Sequence, residues 1–392
     1  MNSSNYCAQL IPVHPKSRIF LVVIFGSCLS VISVLENLII FYVLVSRRQY
    51  RTSHFLYFIF LAFWDMALSF CYIPMLSFDI LKDQTRSLGL TRMWWAYFRY
   101  LLAFGHVSIN AQTYLIAAAT FERFLVEKRT EKSRKFSTAI KKQRLRVCVV
   151  VILLAAAPQL PIVFEVQLAP AINCTGISQF FPTLSQFAAQ HDYATYYRFY
   201  FRNTYCVFMP FLLVSYMNVS IVNNVRKHGR MATHFPLISE TQVRTKVRSA
   251  SRTTVSMACV YLISNGPNLA LTAWEHIDHM SLQALGPIYT LLADIVSILK
   301  IVSSCSRLPI CLAFNRDFRK AVTTVLTFVP TNIARGAQKT FHKKNIKQQT
   351  LELEDDQTST ELMLSTRQQP TALKKPPITV EDDEYDRDRT AL

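Results

Sequence analysis

Residues 117–129 read AAATFERFLVEKR: an apolar run closes on Glu122 and Arg123, an acid and a base side by side, and then passes into a basic segment. What that pair is for depends on the rest of the chain. Of 392 residues, 51% are hydrophobic and only 17% charged, and eight glycines with sixteen prolines argue against a fibrous or low-complexity protein. The apolar residues gather into blocks of about 20 or more, the length needed to cross a hydrocarbon core of roughly 30 Å.

Seven such blocks can be read along the chain: Ile19–Val45, Phe55–Leu81, Trp94–Val126, Val147–Leu168, Phe199–Val225, Ser249–Trp274 and Leu282–Phe314. A backbone in lipid must satisfy its own polar groups, so the blocks are helices or strands of a closed barrel. Barrel strands alternate over about ten residues, and these runs do not. The expected fold class is an all-α membrane protein, a seven-transmembrane helix bundle.

The net charge of +18 is uneven. The loops after blocks one, three and five are rich in Lys and Arg, as in Arg47, Arg48 and Arg51 or the run from Lys128 to Arg146, whereas the opposite loops are near neutral. Positive loops stay in the cytoplasm, which puts the N-terminus outside and the C-terminus inside. Topology accounts for the basic balance, so no nucleic-acid partner is implied. The first eighteen residues are polar and do not read as a cleaved signal peptide. Sequons at Asn2 and Asn173 fall on outer segments and can carry glycans; the one at Asn218 falls inside a helix and should not.

The organisation expected is an outer N-terminus (1–18), the bundle (19–314), a short amphipathic eighth helix (315–328) and a cytoplasmic tail (329–392). In the eighth helix Phe318, Val322, Val325 and Leu326 share one face, suited to the membrane interface. The tail is polar with mixed charge, a composition that reads as disorder.

Buried polar groups in hydrocarbon are costly and therefore informative. Asp65 closes LAFWD in block two, Asn37 sits in ENLIIFYVL, and Pro210, Pro267 and Pro309 interrupt blocks five to seven. Taken in order with Glu122-Arg123-Phe124, FMP at Pro210 and AFNRDFRKA after block seven, these resemble a rhodopsin-like (class A) G-protein-coupled receptor over roughly residues 19–328. The third- and sixth-helix pieces are similar to peptide-receptor-like members, especially divergent orphan ones of nematodes.

The resemblance implies a plasma-membrane receptor with an extracellular ligand, a neuropeptide, and a heterotrimeric G protein as partner; tail sites such as Thr358 and Ser359 would recruit an arrestin-like protein. It assigns activation and coupling to Glu122, Arg123, Asn218 and Pro267, with Glu122 pinning Arg123 in the resting state; the bland reading is an ordinary interfacial charge pair. It also implies a sodium ion at Asp65, with Asn37, Gln112, Ser303 and Ser304 as neighbours, against a carboxyl satisfied by hydrogen bonds alone. No other cofactor is implied.

Ligand-contact candidates are His106 and Asn110 on helix three, with Glu275, Asp294 and Lys300. Acidic outer residues, Glu165 among them, would favour a cationic ligand. Lys300 falls one residue short of the retinal-binding position of opsins; a structural or ligand-facing lysine, paired with Asp65 or Asp294, is the alternative. A bridge between Cys7 and Cys174 would replace the family's usual disulfide, because Phe98 stands at the helix-three position; a free or interchain Cys174 is the other possibility. Further departures are Asn265 for the usual tryptophan before Pro267, Arg307 near the usual helix-seven asparagine, and Val247 where an acid would lock helix six. Without a phosphate loop, HExxH or nucleophile elbow, no enzyme is expected. The rival class is an ion or solute transporter using Glu36, Asp65 and Lys300, or a non-signalling receptor relative; transporters often show two related halves, and no internal repeat is present.

Overall fold

Every apolar block becomes a helix, as a backbone without water requires. The computed structural model describes residues 14–128, 130–171, 174–231, 241–278 and 285–325. Helix α1 spans Lys16–Ser46, α2 Phe55–Thr85, α3 Leu88–Lys128 and α4 Arg144–Glu165. Helix α5 begins at Tyr193 and ends with the stretch Met209–Met231, and α6 spans Thr241–Ile277. Helix α7 covers Gly286–Cys305 and resumes past Ser306 as Arg307–Phe314. The expected eighth helix is present as α8 over 316–325. The tail, Asn2, Asn173 and Cys7 lie outside the described residues.

Helices α1, α2, α4, α5 and α7 each contain a stretch apolar enough to cross a membrane. Helices α3 and α6 are more polar, and α3 packs against α2, α4, α5 and α6. A helix surrounded by protein can hold polar residues that lipid would reject. Large apolar side chains such as Phe20, Phe70, Phe164, Leu212 and Ile263 are exposed instead, the surface a bilayer would cover.

Two elements were not anticipated. An antiparallel hairpin, β1 Val166–Pro170 with β2 Phe180–Leu184, pairs Val166 with Leu184 and Pro170 with Phe180. It marks the hairpin end of the bundle. At the opposite, basic end a helix over Glu131–Lys142 lies in the loop before α4, its first turn capped by Thr130, which accepts from the Ser133 amide.

The core is in two parts. One lies toward the basic end and includes Leu44, Tyr57, Leu61, Leu115 and Val214, with Phe318 and Val322 of α8 buried in it. The apolar face of α8 therefore packs on the bundle. The other includes Val22, Leu68, Tyr72 and Ile298. There α1 and α2 come so close that a Cβ on Gly26 would stand 2.0 Å from the Tyr72 hydroxyl. That hydroxyl donates to the Val22 carbonyl at 3.3 Å. Beside Pro74, α2 winds into a π stretch over Ile73–Ser77, and α3 caps its loosened carbonyls: Trp94 donates to Met75 and Tyr97 to Pro74.

Candidate functional site

Three polar clusters are stacked along the bundle. At the basic end, Glu122 is buried at 2% exposure and gripped by Arg144 through Nε and Nη2, at 3.0 and 2.6 Å. Arg144 also donates to the Thr52 carbonyl at 2.7 Å, so one side chain ties α3, α4 and the α1–α2 loop. A two-pronged arginine–carboxylate contact is among the stronger ionic geometries. The expected pairing of Glu122 with its neighbour Arg123 is not formed. Adjacent residues on a helix point about 100° apart, and α4 brings a better-placed cation. Arg123 makes no ion pair among the described residues, and its Nε is buried without a hydrogen-bond partner.

Four residues on, buried Glu127 accepts from Ser251 of α6 at 2.9 Å. Val247 cannot supply an acid from α6, but α3 supplies one of its own and reverses the sense of the contact. Ser249 of α6 donates to the Phe314 carbonyl at the end of α7. Asn218 of α5 donates to Cys259 of α6 at 3.2 Å. The basic end of α6 is thus held by α3, α5 and α7. Pro267 sits inside α6, where its missing N–H weakens the ladder, and the Asn265 amide donates to the Tyr261 carbonyl one turn earlier at 3.0 Å.

At mid-bundle, Asp65 is fully buried, accepts from Ser304 at 2.9 Å and forms an ion pair with Arg307. The sodium expected at Asp65 therefore meets an internal competitor: the carboxylate it would need is already neutralised by a tethered guanidinium. Two of the other expected neighbours bond elsewhere. Asn37 donates to Ser33 and Ser304 carbonyls, and Gln112 to the Trp64 carbonyl. Lys300 pairs with neither Asp65 nor Asp294. Its ammonium has no partner among the described residues and lines a cavity with Gln112, Ser303 and Arg307. With Asp65 closed by Arg307, the expected ion path through Glu36, Asp65 and Lys300 is interrupted.

At the hairpin end, Asp294 of α7 takes Arg18 of α1 at 2.6 and 3.3 Å. Arg18 also donates to His14 Nδ1 at 2.8 Å, and His14 Nε2 reaches Asp83 at 3.1 Å. Accepting at Nδ1 fixes the tautomer that donates from Nε2. Asp83 in turn holds Lys82, which lies 4.7 Å over the Trp94 ring. Trp94 stacks on Phe98 at 4.3 Å, so aromatic and cationic contacts fasten α3 where the expected cysteine is absent. Glu165 is held by Arg202 and by the Tyr193 hydroxyl at 2.7 Å. Cys174 is disulfide-bonded.

These pairings correct the ligand expectation. Asp294 and Glu165 are already neutralised and do not call for a cationic ligand. Asn110 is buried and donates to the Ala155 carbonyl and Cys206, joining α3 to α4 and α5; it is interhelical rather than ligand-facing. His106 stays exposed, within electrostatic reach of Lys300, Arg202 and Glu165. Glu275 is half-buried beside Tyr289. Sequence reasoning missed Arg144, Arg18, Glu127 and Arg307 as partners; the one visible signal was Arg307, a guanidinium inside an apolar block that implied a buried acid.

Comparison with known proteins gives the same architecture. The family model described as 7 transmembrane receptor (rhodopsin family) matches residues 36–306. The crystal structure of squid rhodopsin is similar in fold, with a TM-score of 0.60 at 14% identity, over 83% of this chain and 85% of that one. No curated protein sequence matches the chain.

Proposed function

The chain belongs to the rhodopsin family of seven-transmembrane receptors, and from that premise we propose that it activates a heterotrimeric G protein in response to an extracellular peptide. In this reading the basic end faces the cytoplasm, as the lysine- and arginine-rich loops favour, and the hairpin end receives the ligand. The peptide class rests on the resemblance of the third- and sixth-helix sequences to peptide-receptor members. His106, Lys300 and Glu275 are the ligand-contact candidates left once the paired acids are set aside. Serine and threonine sites in the tail would serve an arrestin-like partner after phosphorylation. A Cys7–Cys174 bridge would tie the N-terminus to the outer loop; disulfide mapping of non-reduced protein that finds Cys7 as a free thiol would rule it out.

The observation that carries the reading is the basic end itself. Arg123 is buried there without an ion pair among the described residues, because Arg144 has taken Glu122, while the Glu127–Ser251 hydrogen bond latches the basic end of α6 to α3. A helix held by a few polar contacts and weakened at Pro267 can move away and leave Arg123 for a partner. A ligand favours that state by its differential affinity for it.

The test is guanine-nucleotide exchange on a panel of G proteins in vesicles carrying the receptor. Ser251→Ala, which removes the Glu127 latch, should raise ligand-independent exchange above wild type. Adding Arg123→Ala should return it to the receptor-free rate. Exchange that survives the double change, or no exchange from either form on any G protein, would overturn the reading.

A further inference from the structure

Between α3, α6 and α7 lies a small polar cavity with room for about one water-sized guest. Its wall includes Lys300, Arg307, Gln112, Ser303, Thr113 and Tyr261. Two of these are cations, and the carboxylate behind them, Asp65, is taken by Arg307. Asp294 is committed to Arg18 and Glu165 to Arg202, and Glu36 of α1 is not part of the cavity wall. The cavity wall therefore carries one positive charge in excess, on an ammonium that has no protein partner among the described residues. Buried charge of that kind calls for a counter-ion.

The rest of the wall suits an acceptor. Ser303, Thr113 and Tyr261 offer hydroxyls, and Gln112 and Asn265 each spend one amide N–H on a backbone carbonyl and keep a second. Arg307 has guanidinium donors beyond the Nε that faces Asp65. The space holds little more than one water-sized particle, which suits a single bare ion rather than part of a peptide. A sodium ion would face two cations there.

We propose that this cavity binds a small monovalent anion, chloride in ordinary media, held by Lys300 and by the donors of Arg307 that Asp65 leaves free. Because the wall includes Thr113 of α3 and Tyr261 of α6, the anion sits between helices that the proposed activation would separate.

The experiment uses purified full-length protein in nanodiscs, melted at equal ionic strength in sodium chloride, choline chloride and sodium gluconate. The midpoint should follow chloride whichever cation is present, rising by roughly 2–4 °C at ten times the dissociation constant. Tracer chloride should bind saturably at one site per chain and be displaced by bromide. Lys300→Met should melt cooperatively and lose both effects. Equal midpoints in chloride and gluconate, a midpoint that follows sodium, or undiminished chloride binding by Lys300→Met would overturn the proposal. Where Lys300→Met does not fold, wild-type binding decides: saturable, bromide-sensitive uptake supports the site and its absence refutes it.

Discussion

Replacing Arg307 with methionine is the perturbation whose cost the structure specifies best. Arg307 is 4% exposed and Asp65 fully buried, and they are joined in an ion pair that Ser304 extends by one hydrogen bond. Removing one member of a buried pair leaves the other charge uncompensated, typically at about 3–5 kcal/mol. Removing both, as in Asp65→Asn with Arg307→Met, is often near neutral and sometimes stabilising. The single changes should therefore lower the melting midpoint by something on the order of 10 °C, and the double variant should recover most of the loss. Arg307→Lys keeps the charge but not the fork of donors, and should fall between. The assay is a thermal-unfolding cycle on purified protein at one scan rate, because unfolding of a protein of this size is prone to irreversibility. If the losses simply add, with a coupling below about 0.5 kcal/mol, the two groups do not depend on each other and the mid-bundle reasoning fails.

Two further outcomes follow from other parts of the fold. Gly26→Ala should cost about 1–3 kcal/mol by driving a methyl into the Tyr72 ring and hydroxyl, while Gly105→Ala, with no neighbouring atom within 4 Å, should not; equal melting of the two would refute the close approach of α1 and α2. His54, beside the start of α2, is held neutral well below the usual imidazole range, first by burial and then by the positive charges of Arg123 and Arg144. The unfolded chain then binds the proton first, so stability present above about pH 6.5 declines as the pH falls below it; His54→Phe should remove that part of the decline, and an unchanged pH profile would contradict it.

The seven helices could be read from the chain because apolar length alone dictates a membrane span. The helix ends were less legible: α3 begins at Leu88 rather than Trp94, and α6 at Thr241 rather than Ser249. Polar terminal turns outside the lipid leave no hydropathy signal. The helix over Glu131–Lys142 did leave a signal, Thr130 as its cap and a basic last turn, hidden by reading the segment only for charge. The site residues divide in the same way. Asp65, Ser304, Glu122 and Arg123 stand out because charge or polarity in an apolar run is conspicuous. Their partners do not, since Arg144, Arg307 and Arg18 meet acids 22, 242 and 276 residues away, and which cation arrives depends on how the helices are rotated and packed. The Glu122–Arg123 expectation failed for that reason: adjacency in sequence was taken for adjacency in space.

The central claim is that α6 separates from α3 at the basic end when the receptor engages its G protein. Spin labels at Lys128→Cys and Arg252→Cys, both exposed, in a background lacking the exposed Cys28 and Cys259, would measure that gap directly. A single short distance in the receptor alone is expected, joined by a longer population when nucleotide-free G protein is added, and a larger one when Ser251→Ala also removes the Glu127 latch. One unchanged distance under all three conditions would contradict the account.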